Sequence, residues 1–104
     1  MGRLFSLTYP TGAVLLAIGN GHKYGFDIMD ATGLPDGTVY PILRRLERHG
    51  VLDGHWEDES IAKGEQRPQR RYYALTVVGE ESLKEVEARF PALPRLFPAR
   101  PEVA

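Results

Sequence analysis

At Gly50 the hydrophobic period of this chain changes from helical to two, directly after a segment with a basic face, so a helix must hand over to a strand at that point. Upstream, from Gly37 to His49, a wheel drawn at about 100° per residue puts Val39, Ile42, Leu43 and Leu46 on one face and Tyr40, Pro41, Arg44 and Arg48 on the other. Downstream, Leu52, Gly54 and Trp56 alternate with Asp53, His55 and Glu57, the pattern of a half-buried strand whose inward side includes Trp56. Gly50 follows His49 as a left-handed cap would, closing the helix and turning the chain.

The flanking segments supply the frame. Thr11 to Ile18 is an apolar run opened by Pro10 and Thr11 and closed by Gly19-Asn20-Gly21, which predicts a capped, buried helix. A second helix is predicted over about Tyr24 to Ala31, with Phe26, Ile28 and Met29 available to the core and Asp27 and Asp30 facing water, before Thr32-Gly33-Leu34-Pro35 breaks it. Proline costs a helix little only in its first turn, so Pro41 favours a third helix starting at Gly37 or Thr38. Asp58 to Gln69, with Gly64, Pro68 and few apolar groups, reads as a long exposed loop, and Arg70 to Leu75 as a second strand with Tyr73 and Leu75 inward. Thr76 is the expected N-cap of a last helix reaching Phe90, on which Gly79, Leu83, Val86 and Phe90 form one apolar stripe. Pro91 stops it.

That order of elements is a winged helix-turn-helix: mainly α with a small β-hairpin (α+β), residues 1–90 forming one domain and residues 91–104 a proline-rich, flexible tail. A chain of 104 residues suits one core, and its 42% apolar and 26% charged content argues against disorder. No apolar run nears the roughly 18 residues that span a bilayer, and Met1 to Phe5 lacks the apolar region of a secretory signal. With no cysteine there is neither a disulfide framework nor a thiolate metal site, so a cytoplasmic setting is expected.

The formal net charge of −1 hides a local pattern. Arg44, Arg45 and Arg48 stand against Glu47, and Lys63, Arg67, Arg70 and Arg71 against Glu65, while Asp53, Glu57, Asp58 and Glu59 lie between the two basic blocks. A major groove about 12 Å wide admits one helix, in which Arg bonds guanine bidentately and Thr or Tyr reaches a base edge or phosphate. Double-stranded DNA is therefore the expected partner, with Thr38, Tyr40 and Arg44 of the recognition helix, about 37–49, at or near the bases, Pro41 on the same DNA-binding face, and Arg45 and Arg48 on phosphates or solvent. Lys63, Arg67, Arg70 and Tyr72 of the wing, about 58–71, suit the backbone or minor-groove edge, contacts that position rather than specify.

The run Gly37-Thr38-Val39-Tyr40-Pro41-Ile42-Leu43-Arg44-Arg45-Leu46-Glu47, then Gly50-Val51-Leu52, then Arg67-Pro68-Gln69-Arg70-Arg71-Tyr72-Tyr73-Ala74-Leu75-Thr76-Val77-Val78-Gly79 resembles the PadR family of transcriptional regulators, as does Tyr24-Gly25-Phe26-Asp27-Ile28. The resemblance spans about Thr11 to Leu83. It implies a homodimeric winged helix, usually a repressor, that dimerises through its terminal helices and in some members senses a small-molecule effector. The chain departs from the family where a C-terminal dimerisation helix or domain is expected, because a proline-rich tail follows Phe90. Leu83, Val86 and Phe90 of the last helix, joined by Leu4, Phe5 and Leu7, are the expected interface.

No nucleophile with its base and no acid and base pair stands out, so neither an enzyme nor a cofactor is expected. His49, His55 and Glu57 as a metal cluster is outweighed by a helix-end histidine and an exposed strand histidine. Trp56 has two readings, core or a stacking surface for a planar effector, and core packing is the commoner use. The rival function is a winged helix used for protein contacts with DNA binding lost, since one fold hosts many functions.

Overall fold

The computed structural model describes residues 7–97, and the expected interface residues Leu4 and Phe5 lie outside them. The described chain runs α1 (Tyr9–Gly19), α2 (Gly25–Thr32), α3 (Asp36–Arg48), β1 (Leu52–Trp56), α4 (Glu59–Gly64), β2 (Arg71–Leu75), α5 (Val77–Arg89) and α6 (Leu93–Leu96). Helix α1 is apolar on every side because it is the centre of the molecule: Thr11 to Ile18 are all buried, and α2, α3, α5, α6 and β2 pack around it. Its N-cap is Thr8, whose Oγ1 accepts from the Thr11 N–H at 3.3 Å.

Val39, Ile42, Leu43 and Leu46 seat α3 on this core, and Ile28 seats α2. The turn between them uses Gly33 in the left-handed region, and Gly50 ends α3 at φ +73°, a conformation only glycine adopts without strain. The strands are antiparallel, with Leu52 opposite Leu75 and Trp56 opposite Arg71. A bridge from Tyr24 to Tyr72, with the Tyr73 N–H donating to the Lys23 carbonyl at 2.8 Å, ties the start of α2 to the wing. Thr76 joins wing, α3 and α5: its Oγ1 accepts from the Gly79 N–H at 3.1 Å and lies 2.6 Å from the Gly50 carbonyl, to which it donates.

Five sequence expectations change. Helix α3 starts at Asp36, so Pro41 sits in its second turn and withholds a hydrogen bond from the Gly37 carbonyl; both residues are exposed, where water can serve that oxygen. Phe26 is 74% exposed instead of buried, and Asp27 lies half-buried, 3.0 Å from His22 Nδ1. Trp56 is 61% exposed while Glu57 is buried, the reverse of the burial expected at the end of β1. Residues 59–64 of the expected loop form α4, capped by Asp58, whose Oδ1 accepts from the Ser60 N–H at 2.9 Å. Past Pro91 the chain folds back: α6 buries Leu93 in the core, and Asn20 Nδ2 donates to the Phe97 carbonyl at 2.9 Å.

Candidate nucleic-acid interface

The outward face of α3 carries the exposed residues Tyr40, Pro41, Arg44 and Arg48, with Thr38 and Arg45 half-buried at its margins. Arg44 has no carboxylate partner among the described residues, so its charge is available to a ligand. Tyr40 is placed differently from a free reader. Its ring lies over the start of α2, so close that a Cβ at Gly25 would fall 2.6 Å from its Cε1 and Cζ. Gly25 is thus the space that lets Tyr40 lie flat, and Tyr40 is 37% exposed in consequence.

On the wing, the arginines divide by partner. Arg67 turns inward: its Nη1 donates to Glu57 Oε1 at 2.6 Å and its Nη2 to Glu57 Oε2 at 2.8 Å, a bidentate pair whose side chains are 19% and 5% exposed. The Arg70 N–H donates to Glu57 Oε1 at 3.2 Å, the Tyr72 hydroxyl lies 3.4 Å from Oε2, and Gln69 Nε2 donates to the Glu57 carbonyl at 2.6 Å. The Arg67 guanidinium is the main reason that the Glu57 carboxyl is held at about 2, against the opposing cost of desolvation. Glu57 and Arg67 therefore close the wing where the two strands part.

Arg71 is committed as well. Its Nη2 donates to Glu47 Oε2 on α3 at 2.5 Å, and its guanidinium carbon lies 5.3 Å from the Trp56 ring centroid. A Cβ at Gly54 would fall 2.9 Å from Arg71 Nε and Nη2 and from Glu47 Oε1, so the bare glycine admits this link between wing and helix. Arg70 stands over the Tyr24 ring, 4.0 Å from its centroid, with no carboxylate partner among the described residues. Tyr72 is half-buried, its ring stacked 5.9 Å from that of His55 and set edge-on to Tyr24. Lys63 is exposed on α4, among Asp58, Glu59 and Glu65.

Between α2, α3 and the wing these residues enclose a cleft of about 680 Å³, walled by Tyr24, Phe26, Tyr40 and Trp56 with Arg44 and Arg70. Phe26 departs from its expected place in the core, and of the two readings of Trp56 the exposed one holds. Helical geometry held the signal for Phe26: residues two apart lie about 200° apart around a helix, so a buried Ile28 turns Phe26 outward. The expected interface residues divide too, with Leu7 and Val86 inside the core and Leu83 and Phe90 only partly covered by it.

The sequence model of the transcriptional regulator PadR-like family matches residues 14–85. The fold is similar to that of a PadR-like transcription factor from Bacteroides fragilis, at 30% identity and a TM-score of 0.65, with 82% of each chain covered. A Streptococcus transcriptional regulator is 26% identical with a TM-score of 0.62, covering 82% of this chain and 84% of that one. A PadR family regulator from Clostridium difficile R20291, 20% identical over 86% of this chain and 94% of its own, shares the fold with a TM-score of 0.69. Among curated proteins none matches.

Proposed function

The chain belongs to the PadR-like family of transcriptional regulators, and from that premise we propose that it is a sequence-specific, homodimeric repressor that reads double-stranded DNA with the outward face of α3. The observation that carries the reading is Arg44: exposed, without a carboxylate, and flanked by Tyr40, Pro41 and Arg48 on a helix whose opposite face is wholly spent on the core. In this reading α3 enters the major groove, Arg44 and Thr38 reach base edges, and Arg45 and Arg48 hold phosphates.

The base of the wing, with Arg70 and Tyr72, meets the adjacent backbone or minor groove. One sugar-phosphate strand separates those two grooves, and it then passes across the mouth of the cleft. The tip of the wing contributes less, because the exposed Asp58 and Glu59 open the same short helix that carries Lys63 and a phosphate strand repels both. Arg67 belongs to the framework that shapes the wing.

A homodimer places two α3 helices on half-sites roughly 34–36 Å apart, so the operator is a palindrome. Leu83 and Phe90 at the edge of α5 remain partly open to a second copy, and Leu4 and Phe5 complete the proposed interface. Among the described residues no helix is long and apolar enough to cross a membrane, and action in the cytoplasm follows from the proposed DNA target.

The test is selection of fragments from random duplex DNA by the full chain, followed by a salt titration of the best binder. A palindromic consensus is expected, with affinity falling by about 0.9 log units per log unit of salt for each phosphate neutralised. If no duplex is retained even in dilute buffer, the proposal fails and the protein-contact reading of the fold replaces it.

A further inference from the structure

The cleft between α2, α3 and the wing is more aromatic than a phosphate strand requires. A strand in duplex DNA presents sugars and charged oxygens outward and keeps the faces of its bases stacked inside, so exposed rings gain little from it. Yet Phe26 is 74% and Trp56 61% exposed, and both stand on the cleft with Tyr24 and Tyr40. Large exposed rings around a concavity mark a ligand that brings a π-face of its own. The volume, about 680 Å³, falls in the range of about 300–1,000 Å³ typical of sites that enclose drug-sized molecules. A lone ring would leave most of it to water.

The charges define the other half of the ligand. Of the four arginines on the cleft, Arg67 is neutralised by Glu57 and Arg71 by Glu47, which leaves Arg44 and Arg70 without carboxylates among the described residues. Two unmatched guanidiniums in an aromatic cleft suit one compact, doubly charged anion, and guanidinium binds phosphate through paired N–H donors.

We propose that this cleft binds a fused planar ring carrying a phosphate, the chemistry of a purine mononucleotide, and that the bound ligand displaces DNA directly because Arg44 serves both. The ring stacks on Phe26 and the open part of Trp56, and Arg44 and Arg70 hold the phosphate. Regulation then needs no signal passed through the fold: ligand and operator exclude each other on one surface. This mode of control rests on the DNA-binding reading above, whereas occupation of the cleft does not.

Trp56 is the only tryptophan of the chain, so its fluorescence reports on the cleft alone. Purified full-length protein without DNA is titrated with GMP, with guanosine and with inorganic phosphate. Saturable quenching by GMP is expected, with guanosine and phosphate each at least tenfold weaker. Phe26→Ala and Arg44→Ala should each weaken GMP at least fivefold. Phe26 offers neither charge nor hydrogen bond to a phosphate strand, so Phe26→Ala should cost operator affinity less than Arg44→Ala does. In a second titration the apparent Kd for a labelled operator should rise in proportion to GMP without reaching a plateau. Absence of saturable quenching at millimolar GMP overturns the site, as does guanosine binding equal to GMP or indifference to both substitutions. A plateau in the second titration overturns direct exclusion. Failure of the protein to bind DNA without GMP sinks the regulator reading alone, since the quenching titration contains no DNA.

Discussion

Arg44 and Arg67 are both cations on the proposed DNA-binding side of the molecule, and their surroundings predict opposite consequences of removing them. Arg44 is exposed and unpaired among the described residues, so Arg44→Ala takes an available charge from the interface. The loss of one bidentate base contact is worth about 1–3 kcal/mol, or about 5- to 150-fold in affinity for the cognate site at about 1.4 kcal/mol per decade. Random duplex should lose far less. Arg67 instead spends two N–H donors, at 2.6 and 2.8 Å, on a carboxylate only 5% exposed. Its charge is already matched, so Arg67→Ala should leave the slope of log affinity against log salt nearly unchanged, where loss of a phosphate contact would lower it by about 0.9. The damage should fall on folding, because Glu57 is left with only the Arg70 N–H and the Tyr72 hydroxyl. The assays are fluorescence anisotropy on cognate and random duplexes across a salt series, with urea unfolding of each variant. A double variant, Arg67→Ala with Glu57→Gln, should unfold at higher urea than the sum of the two single changes implies, as coupled partners do. A salt slope reduced by nearly a full phosphate in Arg67→Ala, with an unchanged unfolding midpoint, would refute the division of the arginines.

Two further predictions concern the fold. The Glu57 carboxyl, held at about 2 against an ordinary 4.5, binds fewer protons folded than unfolded in that interval, so its contribution to stability is complete above about pH 4.5 and disappears as pH falls through about 2. Urea midpoints measured from neutral pH down should show this acid-side loss in the parent and a shallower one in Glu57→Gln; equal slopes would contradict the assignment. Leu93→Ala removes a fully buried side chain of α6 and should cost about 2–5 kcal/mol, with each kcal/mol lowering the Tm by roughly 4–8 °C. A cost below about 0.5 kcal/mol, the size of a surface change, would mean that this segment does not pack on α1.

How much of this surface was legible in the sequence depends on what each residue answers to. The seat of α3 was legible because Val39, Ile42, Leu43 and Leu46 repeat at helical spacing and answer only to the core. Thr76 was legible as a cap, since the hydroxyl bonds three residues along its own chain. Helix α4 was not, because six residues with Ala62 as their one buried member carry no period to read. Leu93 was missed for a related reason: the surrounding prolines argue for extended chain, and only contact with α1, some 75 residues away, rewards a single turn there. Trp56 and Glu57 keep their alternating sides but not the expected burial, because alternation predicts burial only while a strand has core beneath it. At the end of β1 the side facing α3 is lined by the Arg71–Glu47 pair, and the other by Arg67.

The candidate site was less legible than the fold, and the cause is charge pairing. Composition counts Arg44, Arg67, Arg70 and Arg71 as four equal cations, but the carboxylates that cancel two of them are 10 and 24 residues away in sequence, Glu57 for Arg67 and Glu47 for Arg71. No period or spacing rule predicts such pairs, because a long side chain reaches whichever neighbour the fold supplies. Once they are removed, the unmatched charge among these four contracts to Arg70 at the base of the wing and Arg44 on α3, both on the aromatic cleft. A protein with net charge −1 can thus present a surface suited to an anion, since its acidic residues do two jobs: some face solvent at the wing tip, and others are used up in holding the wing against the helix.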